Sequence, residues 1–212
     1  MQVAEIIMVH GLWYGSLALF PLGRKLQGLG FSVRHFKYAA TSDKLETHAR
    51  ELHRFAMREK VQQQHFLGHS LGGLVILRML ADADNLPAGR VVLLGSPLGG
   101  SSVARKASGI PGSAKLLGQV STALEHGFST LPSSHETGMI AGSRSFGLGM
   151  FTGGTDGPGD GTVGLHEAHV EGLKDRLVLP LTHTGMLFAA EVAIQSAAFL
   201  NSGHFETPGA SD

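Results

Sequence analysis

Short apolar runs alternate along the chain with longer stretches whose apolar residues recur every third or fourth position. The first run, AEIIMVHG, predicts a strand buried on both faces and closed by a glycine. In SLALFPLGRKLQGLG, Leu17, Phe20, Leu22, Leu26 and Leu29 keep near-helical spacing, and Pro21 argues for a late helix start. FSVRHFKY alternates and predicts a half-buried strand. TSDKLETHARELHRFAMREK opens on Ser and Asp and sets Leu45, Ala49, Leu52, Phe55 and Ala56 on one stripe, which predicts a capped helix. QQHFLG and RVVLLGSP predict strands, with SLGGLVILRMLADA as a helix between them. Later in the chain SRSFGLGMFTGG and RLVLPL predict strands, TDGPGDGTVG a loop, and MLFAAEVAIQSAAFLN a closing amphipathic helix.

Strand–helix alternation of this kind implies an α/β domain: a mostly parallel central sheet with helices on both faces. Residues 1–202 are expected to form it as one unit, a size that 212 residues allow. From about 99 to 142 the pattern loosens into Gly, Ser and Pro with short apolar pieces such as SAKLLGQVSTALEHGF. That stretch is too long for a plain loop and predicts a small cap insertion. Residues 203–212 are expected to be a mobile tail.

Composition removes several classes of function. Hydrophobic residues make up 42% and charged residues 16%, as in a globular chain. Lys plus Arg equals Asp plus Glu at 17 each, with no basic run, so nucleic acid is not an expected partner. The absence of cysteine excludes disulfides, thiolate metal sites and a cysteine nucleophile. MQVAEIIMVHGLW lacks the basic start of a signal peptide, and no apolar run reaches membrane-spanning length. A cytoplasmic protein without an integral membrane segment is the expectation.

Chemistry concentrates in HFLGHSLGGLVILRMLA, from His65 to Ala81. In a chain with 30 glycines, a Gly-x-Ser-x-Gly pattern says little by itself. Here Ser70 falls between a predicted strand and a predicted helix, in a sharp turn that would lift its hydroxyl above the sheet. Side chains at Gly68 or Gly72 would collide with the adjoining elements. The bland alternative is a serine that merely caps a tight βα turn. A serine hydroxyl needs a base to take its proton and an acid to orient that base. His183 stands just after the strand RLVLPL and before the last helix, the best position for the base. His166 and His169 lie in a polar segment, His48 and His53 in an amphipathic helix, and His204 in the tail. For the acid, Asp156 and Asp160 both precede glycine and both suit an Asx-turn. Asp160 is favoured because it is nearer to His183, and Asp175 ranks last.

These motifs resemble those of α/β-hydrolases, bacterial lipases and esterases in particular, over nearly the whole chain. GHSLGG resembles the nucleophile elbow, MVHGLW the oxyanion loop, DGTV the acid loop and HTGML the histidine loop; the order Ser70, Asp160, His183 is that of the family. The resemblance implies an oxyanion hole from the Leu12 and Leu71 amides, with His10 bracing its loop. No acid-rich cluster accompanies His10 and His69, so neither a metal nor another cofactor is expected. Trp13 and Tyr14 are candidates for lining the acyl pocket, with packing on the sheet edge as the equal alternative. LLGSPLGGSSVARK resembles the segment that leads into a lipase lid, but this insertion is short and less apolar than an interfacial lid. Within it Leu116, Leu117, Val120 and Leu124 are candidate acyl contacts. The implied activity is hydrolysis of short- to medium-chain carboxylic esters through an acyl-enzyme, with a small-molecule acyl ester as the partner. An acyltransferase, a thioesterase or a triacylglycerol lipase would use the same triad. A non-catalytic ligand-binding module is the rival of a different class.

Overall fold

The run EIIMV is apolar throughout because both faces of its strand are covered. Ile7 and Val9 enter one apolar cluster, Ile6 and Met8 another, and all four are fully buried. In this computed structural model, which describes residues 3–83, 85–109, 117–146 and 154–206, the run is β1 (Glu5–Val9). β2 (Ser32–Phe36), β3 (Gln64–His69), β4 (Arg90–Leu94), β5 (Glu136–Gly142) and β6 (Asp175–Leu179) complete one sheet ordered β2-β1-β3-β4-β5-β6. Every neighbouring pair is parallel.

Helices cover both faces, as expected. α2 (Leu45–Ala56) and α3 (Leu71–Asp82) pack on the side of Ile7, Phe66, Val91 and Leu93. α1 (Phe20–Gly28) and α6 (Ala190–Ser202) pack on the side of Ile6, Leu67, Val92 and Ile140. A 3-10 turn, Ser16–Leu19, precedes α1, so Pro21 sits in the first turn of the helix, where its missing N–H costs nothing. α2 buries Leu45, Ala49, Leu52 and Ala56 along the predicted stripe. Its N-cap is Lys44 with no side-chain cap bond; the Ser42 hydroxyl instead bonds Ala39 O and the Asp43 carboxylate.

Three expectations are corrected. The cap was expected to run to 142, but Glu136–Gly142 is β5, an inner strand between β4 and β6. The inserted segment therefore ends by His135. It carries α4 (Ser102–Ser108) and α5 (Ser121–His126). The strand expected in SRSFGLGMFTGG is absent from its described part, Ser143–Phe146, and residues 147–153 lie outside the described residues. The described part of the tail is tied down. The Phe205 ring packs 4.9 Å from Phe199, its amide bonds Asp175 Oδ2, and the Glu206 amide bonds Gln195 Oε1. Residues 207–212 lie outside the described residues. Among the described residues no helix is long and apolar enough to cross a membrane.

Candidate active site

The candidate residues gather at the C-terminal edge of the sheet, where β1, β3, β4, β5 and β6 release their loops. Ser70 joins β3 to α3 with φ 55° and ψ −124°, a backbone conformation that side chains disfavour. Its amide donates to Leu94 O at 2.9 Å, pinning the turn to the end of β4. The turn is this sharp because the flanking glycines allow it. A Cβ on Gly72 would stand 2.1 Å from Val9 O, and one on Gly68 2.7 Å from the Gly73 backbone. Among the described residues the only other non-glycine with positive φ is Trp13, at 64°. Both lie at this site, as stored strain tends to.

Asp160 and His183 meet in the interior at this edge of the sheet. Asp160 Oδ2 lies 2.7 Å from His183 Nδ1, and the side chains are 1% and 2% exposed. A carboxylate only accepts, so Nδ1 carries the proton, and in the neutral ring the lone pair is then on Nε2. Asp160 Oδ1 accepts from the Thr162 and Val163 amides, and Asp160 O accepts from the His183 amide. Thus both ends of the aspartate grip the histidine loop. Gly95 makes room for the pair: with φ 52°, its Cβ would fall 2.8 Å from Asp160 Oδ2 and 3.1 Å from His183 Nδ1. Asp156 goes elsewhere, paired with Lys106 at 2.9 Å on the surface, and Asp175 starts β6 and receives the Phe205 amide. His166 and His169 are exposed.

The loop after β1 closes over the elbow. A Cβ on Gly11 would lie 2.9 Å from Ser70 Cβ. Leu12 and Leu71 are buried, and neither amide has an acceptor among the described residues. His10 donates from Nδ1 to Gly11 O and stacks on Tyr38, whose hydroxyl donates to His10 O at 2.8 Å. Trp13 is 52% exposed. The half-buried Tyr14 sets its ring edge-on to His69 at 5.3 Å, and its hydroxyl lies 2.6 Å from Thr184 Oγ1. In the sequence His69 was weighed only as a metal ligand beside His10 and set aside. It is fully buried, its ring centroid is 4.5 Å from that of His183, and its Nε2 lies 3.1 Å from His183 O. A carbonyl only accepts, so Nε2 is the protonated nitrogen. Burial, and next the neighbouring His183, push this ring well below the ordinary imidazole value, keeping it neutral.

The candidate acyl contacts of the insertion are not where they were expected. Leu117, Val120 and Leu124 are buried in the same apolar cluster as α2 and α3, because the insertion needs them to fold down onto the domain. Leu116 lies outside the described residues. Glu167 anchors that packing: buried, it accepts from the Ser102 and Gly164 amides, joining α4 to the loop that carries Asp160. A glutamate five residues after the Asp160-Gly161-Thr162 motif was the available signal for it. Among the described residues no group of three His, Asp or Glu side chains is arranged to hold a metal ion.

No family model matches the sequence, and no curated protein matches it either. Solved structures do resemble it. The mature form of the lipase BlEst2 from Bacillus licheniformis matches with a TM-score of 0.70 at 19% sequence identity, covering 94% of this chain and 91% of that one. The esterase EaEST from Exiguobacterium antarcticum matches at 0.67 and 12% identity over 95% and 94% of the two chains. For the metagenomic carboxyl esterase MGS0156 the values are 0.68 and 16%, over 86% and 65%. With these likenesses, the parallel strand order and the strained serine turn after β3, the chain has the α/β-hydrolase fold.

Proposed function

We propose that the protein is a serine hydrolase that cleaves carboxylic esters, with Ser70 as nucleophile, His183 as general base and acid, and Asp160 as its orienting partner. The observation that carries the reading is the buried 2.7 Å Asp160–His183 pair, standing at the same sheet edge as a serine held at φ 55°. Ser70 Oγ attacks the ester carbonyl while His183 Nε2 takes its proton. The carbonyl electron pair moves to oxygen, where the Leu12 and Leu71 amides receive it; each such donor is worth about 3 kcal/mol. As the intermediate collapses, His183 returns the proton to the departing alcohol. Water then attacks the acyl-enzyme by the reverse path and releases the acid. Esterases and a lipase among the similar structures agree with this chemistry.

Acyl groups of short to medium length fit best. Among the described residues of the insertion, Leu117, Val120 and Leu124 are buried in the core cluster and are not presented to a long acyl chain. The test is hydrolysis of p-nitrophenyl esters from acetyl to palmitoyl by wild type and Ser70→Ala. A peak at short or medium chains that falls to background in the folded variant is expected. A peak at palmitoyl would make it a lipase. Product that appears only when an alcohol or amine is added would make it an acyltransferase. Full activity in Ser70→Ala would overturn the assignment.

A further inference from the structure

The two halves of the proposed machinery start far apart. The loop with Leu12 leaves β1, and the loop with His183 leaves β6. Between those strands lie β3, β4 and β5, so four inter-strand spacings, or about 19 Å, separate their ends. The sheet twists over that span, and nothing in its ladder fixes how the two loops face each other. Yet Tyr14, two residues past Leu12, and Thr184, the residue after His183, meet hydroxyl to hydroxyl at 2.6 Å. Chain separation is 170 residues, so the contact is purely tertiary.

Each side of the bridge is itself braced. The Tyr14 ring rests edge-on against His69, which is fully buried in the core beside Ser70. On the other side the backbone of His183 is held twice: its amide donates to Asp160 O at 3.0 Å, and its carbonyl accepts from His69 Nε2. Thr184 is the exposed residue that follows His183 in this loop.

We propose that Tyr14 is a positioning residue whose hydroxyl, bonded to Thr184, clasps the oxyanion loop to the histidine loop and sets the distance between the Leu12 amide and His183. This role replaces the acyl-pocket lining expected for Tyr14, and it rests on the esterase reading above. A clasp of this kind matters because small misplacements of a base relative to the oxyanion donors are costly to the chemical step, while substrate binding is left alone.

The experiment is steady-state hydrolysis of p-nitrophenyl butyrate by wild type, Tyr14→Phe, Thr184→Val, the double variant and Thr184→Ser, with thermal unfolding of each. The expected result is a loss in kcat of about five- to tenfold in either single variant, the weight of one net hydrogen bond. KM stays within about twofold, the double variant is no worse than either single, and Thr184→Ser matches wild type. Losses that add in the double variant, a change in KM alone, or an unchanged kcat would each overturn the clasp. If wild type hydrolyses no ester, the esterase reading fails, and the clasp keeps its own readout. The downfield proton resonance of His183 Nδ1–H should shift or broaden in Tyr14→Phe and persist in Thr184→Ser; no change in Tyr14→Phe overturns it.

Discussion

At the scale of single residues, the candidate site depends on which groups are denied freedom. Ser70 is fixed in a strained turn, and Asp160 directs both carboxylate oxygens at partners, Oδ1 at two loop amides and Oδ2 at one imidazole. A substitution that keeps shape but exchanges an acceptor oxygen for an NH₂ group should therefore disturb the imidazole tautomer without unfolding the chain. Asp160→Asn is expected to lower kcat by about a thousandfold or more. Asp156→Asn removes only an exposed ion pair with Lys106 and should change kcat by less than about twofold. Parallel kinetics on the two variants check this; equal losses would contradict the choice of acid. In the sequence both aspartates precede glycine, and nearness to His183 favoured Asp160. Burial separates them, with Asp160 inside against His183 and Asp156 outside against Lys106, and burial depends on where the loop lands.

Among the elements, the β3–α3 elbow is the tightest joint. Gly72 faces Val9 O so closely that an added methyl requires β1 or α3 to move. Gly72→Ala should cost about 1–3 kcal/mol of stability and most of the activity, read by thermal melts and ester hydrolysis together; a variant with wild-type melting and rate would show that the joint is looser than described. Strands β1, β3 and β4 and helices α2 and α3 were legible because their apolar residues match the faces they bury. β5 was not, since ETGMIAG contains two glycines and a threonine and scans as loose chain. One of those glycines is needed for packing: a Cβ on Gly138 would stand 2.6 Å from the Phe199 ring of α6. The α2 cap failed for a similar reason, as Ser42 was committed to its own turn. Tyr14 stood out in the sequence as a candidate, but its partner 170 positions away did not, because no local pattern announces a contact of that span.

For the molecule as a whole, the distribution of buried histidines sets its response to acid. His10, His48, His65, His69 and His135 are all under a tenth exposed, and desolvation first of all lowers each below the ordinary imidazole value, His65 to about 4. Unfolded, the same rings bind protons near pH 6.5. Above that pH both states are neutral and the rings do not affect stability. As pH falls below 6.5 the unfolded chain takes up protons that the folded chain refuses, so stability drops, and the drop continues toward pH 4. The ceiling is about 1.4 kcal/mol per pH unit for each proton, reduced at His48 by nearby Glu51. Urea melts at pH 7, 6, 5 and 4.5 should show a steepening loss; a constant midpoint from pH 7 to 5 would contradict it. The central claim, that Ser70 is a nucleophile activated by His183, is tested most directly by covalent trapping with a fluorophosphonate, followed by intact mass and peptide mapping. The account predicts one adduct, on Ser70, absent from Ser70→Ala and formed far more slowly in His183→Ala. A folded protein that takes no label, or takes it at another residue, would contradict it.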